Sequence, residues 1–257
     1  MPDSLPQQLW QARLNGSLVD IADEDMPTQD AAYTIQAETI KLAPVQVTGF
    51  KIGATSEAAM EALGVDGPVF GPMFDGSCYD SGAKVTLSAQ QNAMLETEFA
   101  VGLAADLPTR EAPYTTEEVA NVVAWVSPAF EIVASRFSRP LKGNGNLLVA
   151  DCGSNHSFVG GPRTTDLSSI DLNEHPATLT INGKEIANGH SGMTVLGNPL
   201  GTVAWLASHP KLRDRGLKAG DILSTGTCTG LTPISIGDVA QADFGPLGTV
   251  SASFVSK

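Results

Sequence analysis

One ten-residue stretch restricts the fold of this chain more than any other: Met94-Leu95-Glu96-Thr97-Glu98-Phe99-Ala100-Val101-Gly102-Leu103. Its alternation predicts a β-strand, in which successive side chains point to opposite faces. Leu95, Thr97, Phe99, Val101 and Leu103 then share a nearly apolar face that belongs against a core. Glu96 and Glu98 share the other. Two carboxylates side by side repel unless something positive lies between them. A divalent cation that takes oxygen ligands, such as Mg2+, Mn2+ or Ca2+, answers that need. A solvated sheet face is the plainer alternative.

Two further residues bear on the choice. Glu131 lies in Pro128-Ala129-Phe130-Glu131-Ile132-Val133-Ala134, and a glutamate among apolar neighbours is costly to bury unless paired or metal-bound. It either completes a three-carboxylate site or pairs with Arg136 or another base. Lys51 sits between Phe50 and Ile52, beside Gly53, where a ligand can approach the backbone. Desolvation and neighbouring cations would lower its pKa and suit it to acid–base work; a solvated lysine at a strand end is the alternative.

Around these residues the pattern is helices first, then mostly strands. Ser4 caps a helix from Leu5 to Asn15-Gly16, a second helix runs from about Thr28 to Lys41, and Ser56 to Gly64 is a third. Val45 to Phe50 reads as a short strand. Gly64 to Gly82, rich in Gly and Pro, reads as a long irregular loop, a lid or pocket wall. Thr116 opens a helix carrying Val122, Val123 and Val126, and Ala129 to Ala134 and Leu147 to Ala150 read as buried strands. Thr178 to Ile186 is a hairpin turning at Asn182-Gly183, and Asn198-Pro199 begins a helix. Ile222 to Thr225 is a strand, followed by a Gly226 to Gly230 loop, and Val250 to Val255 is the last strand. Few βαβ units are present, so the fold class is α+β with a largely antiparallel sheet. The division expected is a mainly helical N-terminal part over residues 1–65 and a β-rich catalytic part over 66–257, forming one compact unit.

Composition removes several function classes. Fifteen Lys and Arg against 28 Asp and Glu leave a net charge of −13, which disfavours nucleic-acid and anionic-membrane partners. Apolar runs such as Val122 to Val126 are too short to cross a bilayer. Cys78, Cys152 and Cys228 are odd in number and far apart, so no disulfide framework is expected. The opening Met-Pro-Asp-Ser lacks a basic-then-apolar leader, and a reducing cytoplasm is the expected compartment. No HExxH pairing joins His156, His175, His190 and His209, and there is neither a Gly-x-Ser-x-Gly elbow nor a phosphate loop. Cys228, beside threonines, reads as a small buried residue. Asp151 to His156 is either an active-site loop or an Asx turn, and Thr225 to Gly230 either offers amides and hydroxyls to an anion or is a structural turn.

Seven collinear stretches between residues 45 and 255 carry a family resemblance: Phe50 to Thr55, Leu63 to Asp66, Glu96 to Ala100, Pro128 to Val133, Val149 to Asp151, Leu196 to Leu200 and Lys218 to Ser224. Together they resemble the 2-keto-4-pentenoate hydratase group of the fumarylacetoacetate hydrolase superfamily, which also holds 4-oxalocrotonate decarboxylases. The resemblance implies a mixed β-roll or distorted barrel with a small helical N-terminal part. It implies Mg2+ or Mn2+ held by Glu96, Glu98 and Glu131, Lys51 as the acid–base lysine, and substrate near Phe70, Gly71, Ser154 and Thr227. It also implies a homo-oligomer acting on a small 2-oxo acid, with a complex with a related decarboxylase or hydratase as an extension. The activity implied is addition of water to a 2-hydroxy-2,4-dienoate in aromatic catabolism. Alternatives are decarboxylation of a 2-oxo dicarboxylate with Arg136, Arg139 or Lys142 at its second carboxylate, acylpyruvate cleavage using His156, or a non-catalytic partner or 2-oxo-acid-binding protein. The chain departs from the family pattern at Val69, where many hydratases are acidic, at Cys152 to His156, and at Ser224 to Pro233.

Overall fold

The structure, a computed structural model, describes residues 3–212 and 214–257; Met1 and Pro2, on which the reading of the chain's opening partly falls, lie outside them. In chain order the elements are α1 (Leu5–Asn15), α2 (Gln29–Leu42), β1 (Val47–Gly53), α3 (Glu57–Leu63), β2 (Val69–Phe74), β3 (Cys78–Asp80), β4 (Ala83–Leu87), β5 (Met94–Leu103), α4 (Thr116–Ala120) and β6 (Val123–Val133). Then follow α5 (Gly145–Ala150), β7 (Asn155–Gly160), β8 (Pro176–Ile181), β9 (Lys184–His190), α6 (Pro199–Ala207), β10 (Ile222–Pro233), β11 (Val239–Asp243) and β12 (Thr249–Ser256). The caps explain the helix ends. Thr28 Oγ1 accepts from the Ala31 amide at 3.3 Å, Ser56 Oγ from Ala59 at 3.2 Å, and Gly64 closes α3 at φ 70°.

The strands form two open sheets rather than a closed barrel. One has seven strands in the order β2-β1-β10-β5-β6-β7-β3, the other five in the order β4-β12-β11-β8-β9. Parallel pairs occur at β1–β10, β12–β4 and β3–β7; the remaining pairs are antiparallel, as the α+β reading requires. Leu95, Phe99, Val101, Phe130 and Ile132 on one face of the large sheet join Leu179, Ala242, Val250 and Phe254 of the small sheet in a single core, to which α1, α2, α5 and α6 contribute. Phe99 meets Phe244 edge-on at 4.9 Å. The strand β1 precedes residue 65 yet lies inside the large sheet between β2 and β10. Among the described residues, no helix is long and apolar enough to cross a membrane, and the three cysteines are free.

Four sequence expectations are corrected. The glycine-rich stretch is not a lid: it contains β2, buried at every position, and β3. Because β2 is covered on both faces it shows no alternation. The helix opened by Thr116 stops at Ala120, and Val123 onward is strand β6, because β-branched residues there pair with β5. The Leu147–Ala150 run is helix α5, docked on α2 through Gln36 Nε2, which donates to the Val149 carbonyl at 2.9 Å. A short apolar run carries no period to separate the two states. Finally, β10 continues past Thr225 to Pro233, with register shifts against β5 absorbing Gly226 (φ 98°) and Gly230 (φ 79°).

Candidate active site

The face of the large sheet turned away from the core carries the polar residues. Glu96 and Glu131 are directly opposite one another across β5 and β6, and Glu98 follows Glu96 on the same face. Lys51, on β1, lies opposite Ser224 of β10, which in turn is opposite Ala100 of β5. Register alone therefore brings four side chains from three strands together. One carboxylate oxygen from each of Glu96, Glu98 and Glu131 lies within 4.8 Å of the other two. The Lys51 ammonium is 2.8 Å from Glu131 Oε2 and 3.9 Å from Glu96 Oε2. All four are buried, Glu98 and Glu131 completely and Glu96 to 8 % exposure.

Two of the three carboxylates, Glu98 and Glu131, are oriented from outside the cluster. Ser224 Oγ donates to Glu98 Oε2 at 2.5 Å, and the Gly226 amide donates to the same oxygen at 3.0 Å. Asn155 Nδ2 donates to Glu131 Oε1 at 3.1 Å. Glu98 Oε1 is buried and has no partner among the described residues. A buried carboxylate oxygen left without a donor is costly, and three such groups offer the hard oxygen ligands a divalent cation takes. A divalent metal fits this set.

The electrostatics correct one expectation. Burial acts to lower the Lys51 pKa, but Glu131, Glu96 and Glu98 around it outweigh burial and hold it above its ordinary value. The sequence offered neighbouring cations; the fold supplies anions instead. Burial lifts Glu96 to about 7, with Lys51 opposing and Glu131 adding to the shift, and it also raises Glu98 and Glu131.

The loop after α5 closes the site. Cys152, Gly153 and Ser154 have φ of 54°, 69° and 49°, a run of left-handed residues costing about 1–3 kcal/mol at each non-glycine position. Asp151 holds it: its Oδ2 accepts from the Arg136 amide at 2.9 Å and from Ser154 Oγ at 3.0 Å. The turn aims the Gly153 carbonyl at Lys51 Nζ, 3.3 Å away. Gly71, opposite Lys51 in β2, lets the loop come this close, since a Cβ there would lie 2.2 Å from the Cys152 carbonyl oxygen.

The structure thus brings together Lys51, Glu96, Glu98, Glu131 and Gly71. It places the Phe70 ring elsewhere: Phe70 pairs with Ile52 and packs against Tyr33, Phe50 and His209 on the opposite face. Ser154 spends its hydroxyl on Asp151. Thr227 is opposite Glu98 in register, but its hydroxyl donates to the Gly230 carbonyl at 3.0 Å. Sequence reasoning missed the orienting roles of Asn155 and Ser224. The only signal for either was position, directly after a buried segment in a run singled out for other reasons.

Comparison with known proteins bears on this geometry. The family model described as fumarylacetoacetate (FAA) hydrolase C-terminal matches residues 54–255. The chain belongs to the fumarylacetoacetate hydrolase family. It is 32 % identical over 256 residues to the 2-keto-4-pentenoate hydratase of Burkholderia vietnamiensis (strain G4), covering 98 % of this chain and 96 % of that protein. It is 34 % identical over 257 residues to the 2-hydroxyhexa-2,4-dienoate hydratase of Comamonas testosteroni, covering 96 % and 95 %. The 4-oxalocrotonate decarboxylase of Pseudomonas putida G7, solved with magnesium and adipate, superposes with a TM-score of 0.87 at 27 % identity, covering 98 % of this chain and 96 % of that one.

Proposed function

We propose that this chain is a divalent-metal-dependent hydratase that adds water to a 2-hydroxy-2,4-dienoate, or its 2-oxo tautomer, in the breakdown of aromatic compounds. The observation that carries the reading is the convergence of Glu96, Glu98 and Glu131 with Lys51 in one buried cluster. The two hydratase relatives support it. Mg2+ or Mn2+ would be held by the three glutamates. Held there, it would supply Lewis-acid stabilisation of the negative charge that develops on the 2-oxo acid end of the substrate. Ser224 and Asn155 fix two of the carboxylates and so spare the site that reorganisation. Lys51 Nζ is the group that gives a proton to the far carbon of the diene as the enol becomes a ketone. The conjugated double bond left behind then takes up water.

A second reading, decarboxylation of a 2-oxo dicarboxylate, forms the same enolate by loss of CO2, and the likeness to 4-oxalocrotonate decarboxylase favours it. The surroundings weigh against a second carboxylate. Met94, Val133 and Leu231 continue the cluster's face into a cavity of about 470 Å³ walled by Ala62, Leu63 and Leu141. Of the three basic residues, Arg136 is buried on Asp151, while Arg139, paired with Asp23 at 2.6 Å, and Lys142 lie at the wall. An apolar substrate tail suits this pocket. His156 lines a different cavity and bonds Ser157 Oγ at 2.8 Å, so cleavage through an activating histidine gains no support. The cytoplasmic, homo-oligomeric state and a complex with a related enzyme belong to the same proposal; sedimentation of the purified protein tests the assembly.

The deciding experiment follows the ultraviolet absorbance of 2-hydroxypenta-2,4-dienoate with added Mg2+ or Mn2+. Turnover that needs the ion and disappears in Glu98→Gln is expected. Undiminished turnover in that variant overturns the reading, and CO2 release from 4-oxalocrotonate in place of hydration selects the second. Metal that neither copurifies nor rebinds would point to a non-catalytic protein.

A further inference from the structure

The sheet face that carries the cluster is closed at one end and open at the other. Beyond Glu98, the same face continues with Ala100 and Ala129, which pack with Met73 and Phe158 in a small buried core of their own. No room is left there for a ligand. Beyond Glu96 and Glu131 the face continues with Met94 and Val133, opposite one another in register, and Leu231 is opposite Glu96. Glu96 is also the most exposed of the four clustered residues, at 8 % against 2 % for Lys51 and 0 % for Glu98 and Glu131. A molecule whose acid group is held by the cluster can therefore extend only past Glu96.

The space it enters is apolar and larger than a short dienoate needs. The cavity that begins at Met94, Val133 and Leu231 has a volume of about 470 Å³, within the range of about 300–1,000 Å³ that suits drug-sized ligands. Neither Lys51 nor the three glutamates line it, so this volume adds to whatever room the acid group takes. Leu231 is 55 % exposed, and Leu63 and Leu141 are half-buried, so apolar surface is open to an occupant. Val69, buried and opposite Gly53, makes the corner beyond Lys51 apolar too. Of the two cations on the wall, Arg139 is paired with Asp23, and Lys142 is exposed and keeps its charge in water. An unsubstituted pentadienoate would leave most of this surface wet.

We propose that this cavity is a tail pocket, and that the chain selects 2-hydroxy-2,4-dienoates with an unbranched propyl to hexyl tail on the terminal carbon of the diene, gripped by Met94, Val133 and Leu231. The inference rests on the hydratase reading and specifies its substrate class. Each methylene moved from water onto such a wall is worth about fourfold in selectivity.

The test measures kcat/KM of the full-length, Mg2+-loaded protein for 2-hydroxypenta-2,4-dienoate and for its methyl, propyl, pentyl and carboxyethyl derivatives at the terminal carbon. A rise of about fourfold per methylene as far as propyl is expected, with the carboxyethyl compound slower than its propyl counterpart. Ala62→Trp fills the cavity from α3 and should cut the ratio of pentyl to unsubstituted substrate about tenfold or more; Leu231→Ser should cut it several-fold. Both positions are exposed, so neither change disturbs the core. Calorimetric titration with pyruvate, 2-oxohexanoate and 2-oxononanoate reads the same preference without turnover, and affinity should climb along the series in wild type but not in Ala62→Trp. Hydration of the unsubstituted substrate with no gain from a tail overturns the pocket and leaves the hydratase reading standing. Affinity that climbs with the tail while no dienoate is hydrated upholds the pocket and overturns the hydratase reading. A gain that survives Ala62→Trp, or a preference for the carboxyethyl compound, overturns the proposal.

Discussion

Replacing Lys51 with methionine removes the ammonium from between three buried carboxylates while keeping the length of the side chain. Lys51 is 2 % exposed and 2.8 Å from Glu131, so solvent does little to screen the loss. Breaking a buried pair in this way costs about 3–5 kcal/mol. Unfolding entropy of about 2.1 cal/mol/K per residue over 257 residues comes to roughly 0.54 kcal/mol/K. The melting temperature of the metal-free variant should therefore fall by about 6–9 °C relative to wild type. Saturating Mg2+ supplies the missing positive charge, so most of that deficit should vanish while turnover stays lost. Scanning calorimetry of both proteins, with chelator and with Mg2+, reads all four values. A metal-free variant as stable as wild type, or a deficit that Mg2+ leaves unchanged, would refute the electrostatic reasoning.

Three further outcomes follow from the same geometry. In chelator, Glu96 has a folded pKa of about 7, above its ordinary 4.5. Its contribution to stability is thus full below 4.5 and lost as pH rises through 7, by up to about 1.4 kcal/mol per pH unit. The metal-free melting temperature should decline from pH 5 to pH 7; a rise over that window contradicts the assignment. Gly71→Ala drives a Cβ to 2.2 Å from the Cys152 carbonyl, so a loss of about 1–3 kcal/mol by denaturant titration, with reduced turnover, is expected. Asn155→Ala keeps the carbonyl that holds Arg13 and Arg136 but takes the donor from Glu131. Metal affinity measured by calorimetry should fall about 10–100-fold with little change in fold, and unchanged affinity would show that Asn155 does not orient Glu131.

The features legible in the sequence were those with a local cause. The Thr178 to Ile186 hairpin turns at Asn182 and Gly183, with φ of 52° and 78°, because that dipeptide tolerates the required backbone. The facing of Glu96 and Glu98 followed from strand alternation, and the helix starts from Ser56 and Thr28. What escaped detection depends on distant partners. The strand β2 is covered on both faces and lies in a stretch rich in Gly and Pro, so it reads as a loop until β1 is beside it. Val123 could continue a helix until β5 offers it a ladder. Ser224 and Asn155 look like ordinary polar residues, and only the registers of β10 on β5 and β7 on β6 show that they meet carboxylates. Burial and the ring of anions about Lys51 are equally long-range, which is why the direction of its pKa shift came out opposite to expectation.

The insertion of β1 between β2 and β10 has a consequence for biogenesis. Lys51 aligns with Ser224, a separation of 224 − 51 = 173 residues, by a parallel pairing that no hairpin can template. On a ribosome the lysine emerges early and must wait, in an unfinished sheet, for nearly the whole polypeptide to follow. Such long-range closure slows folding, and competence for chemistry arrives only with the final third of the molecule.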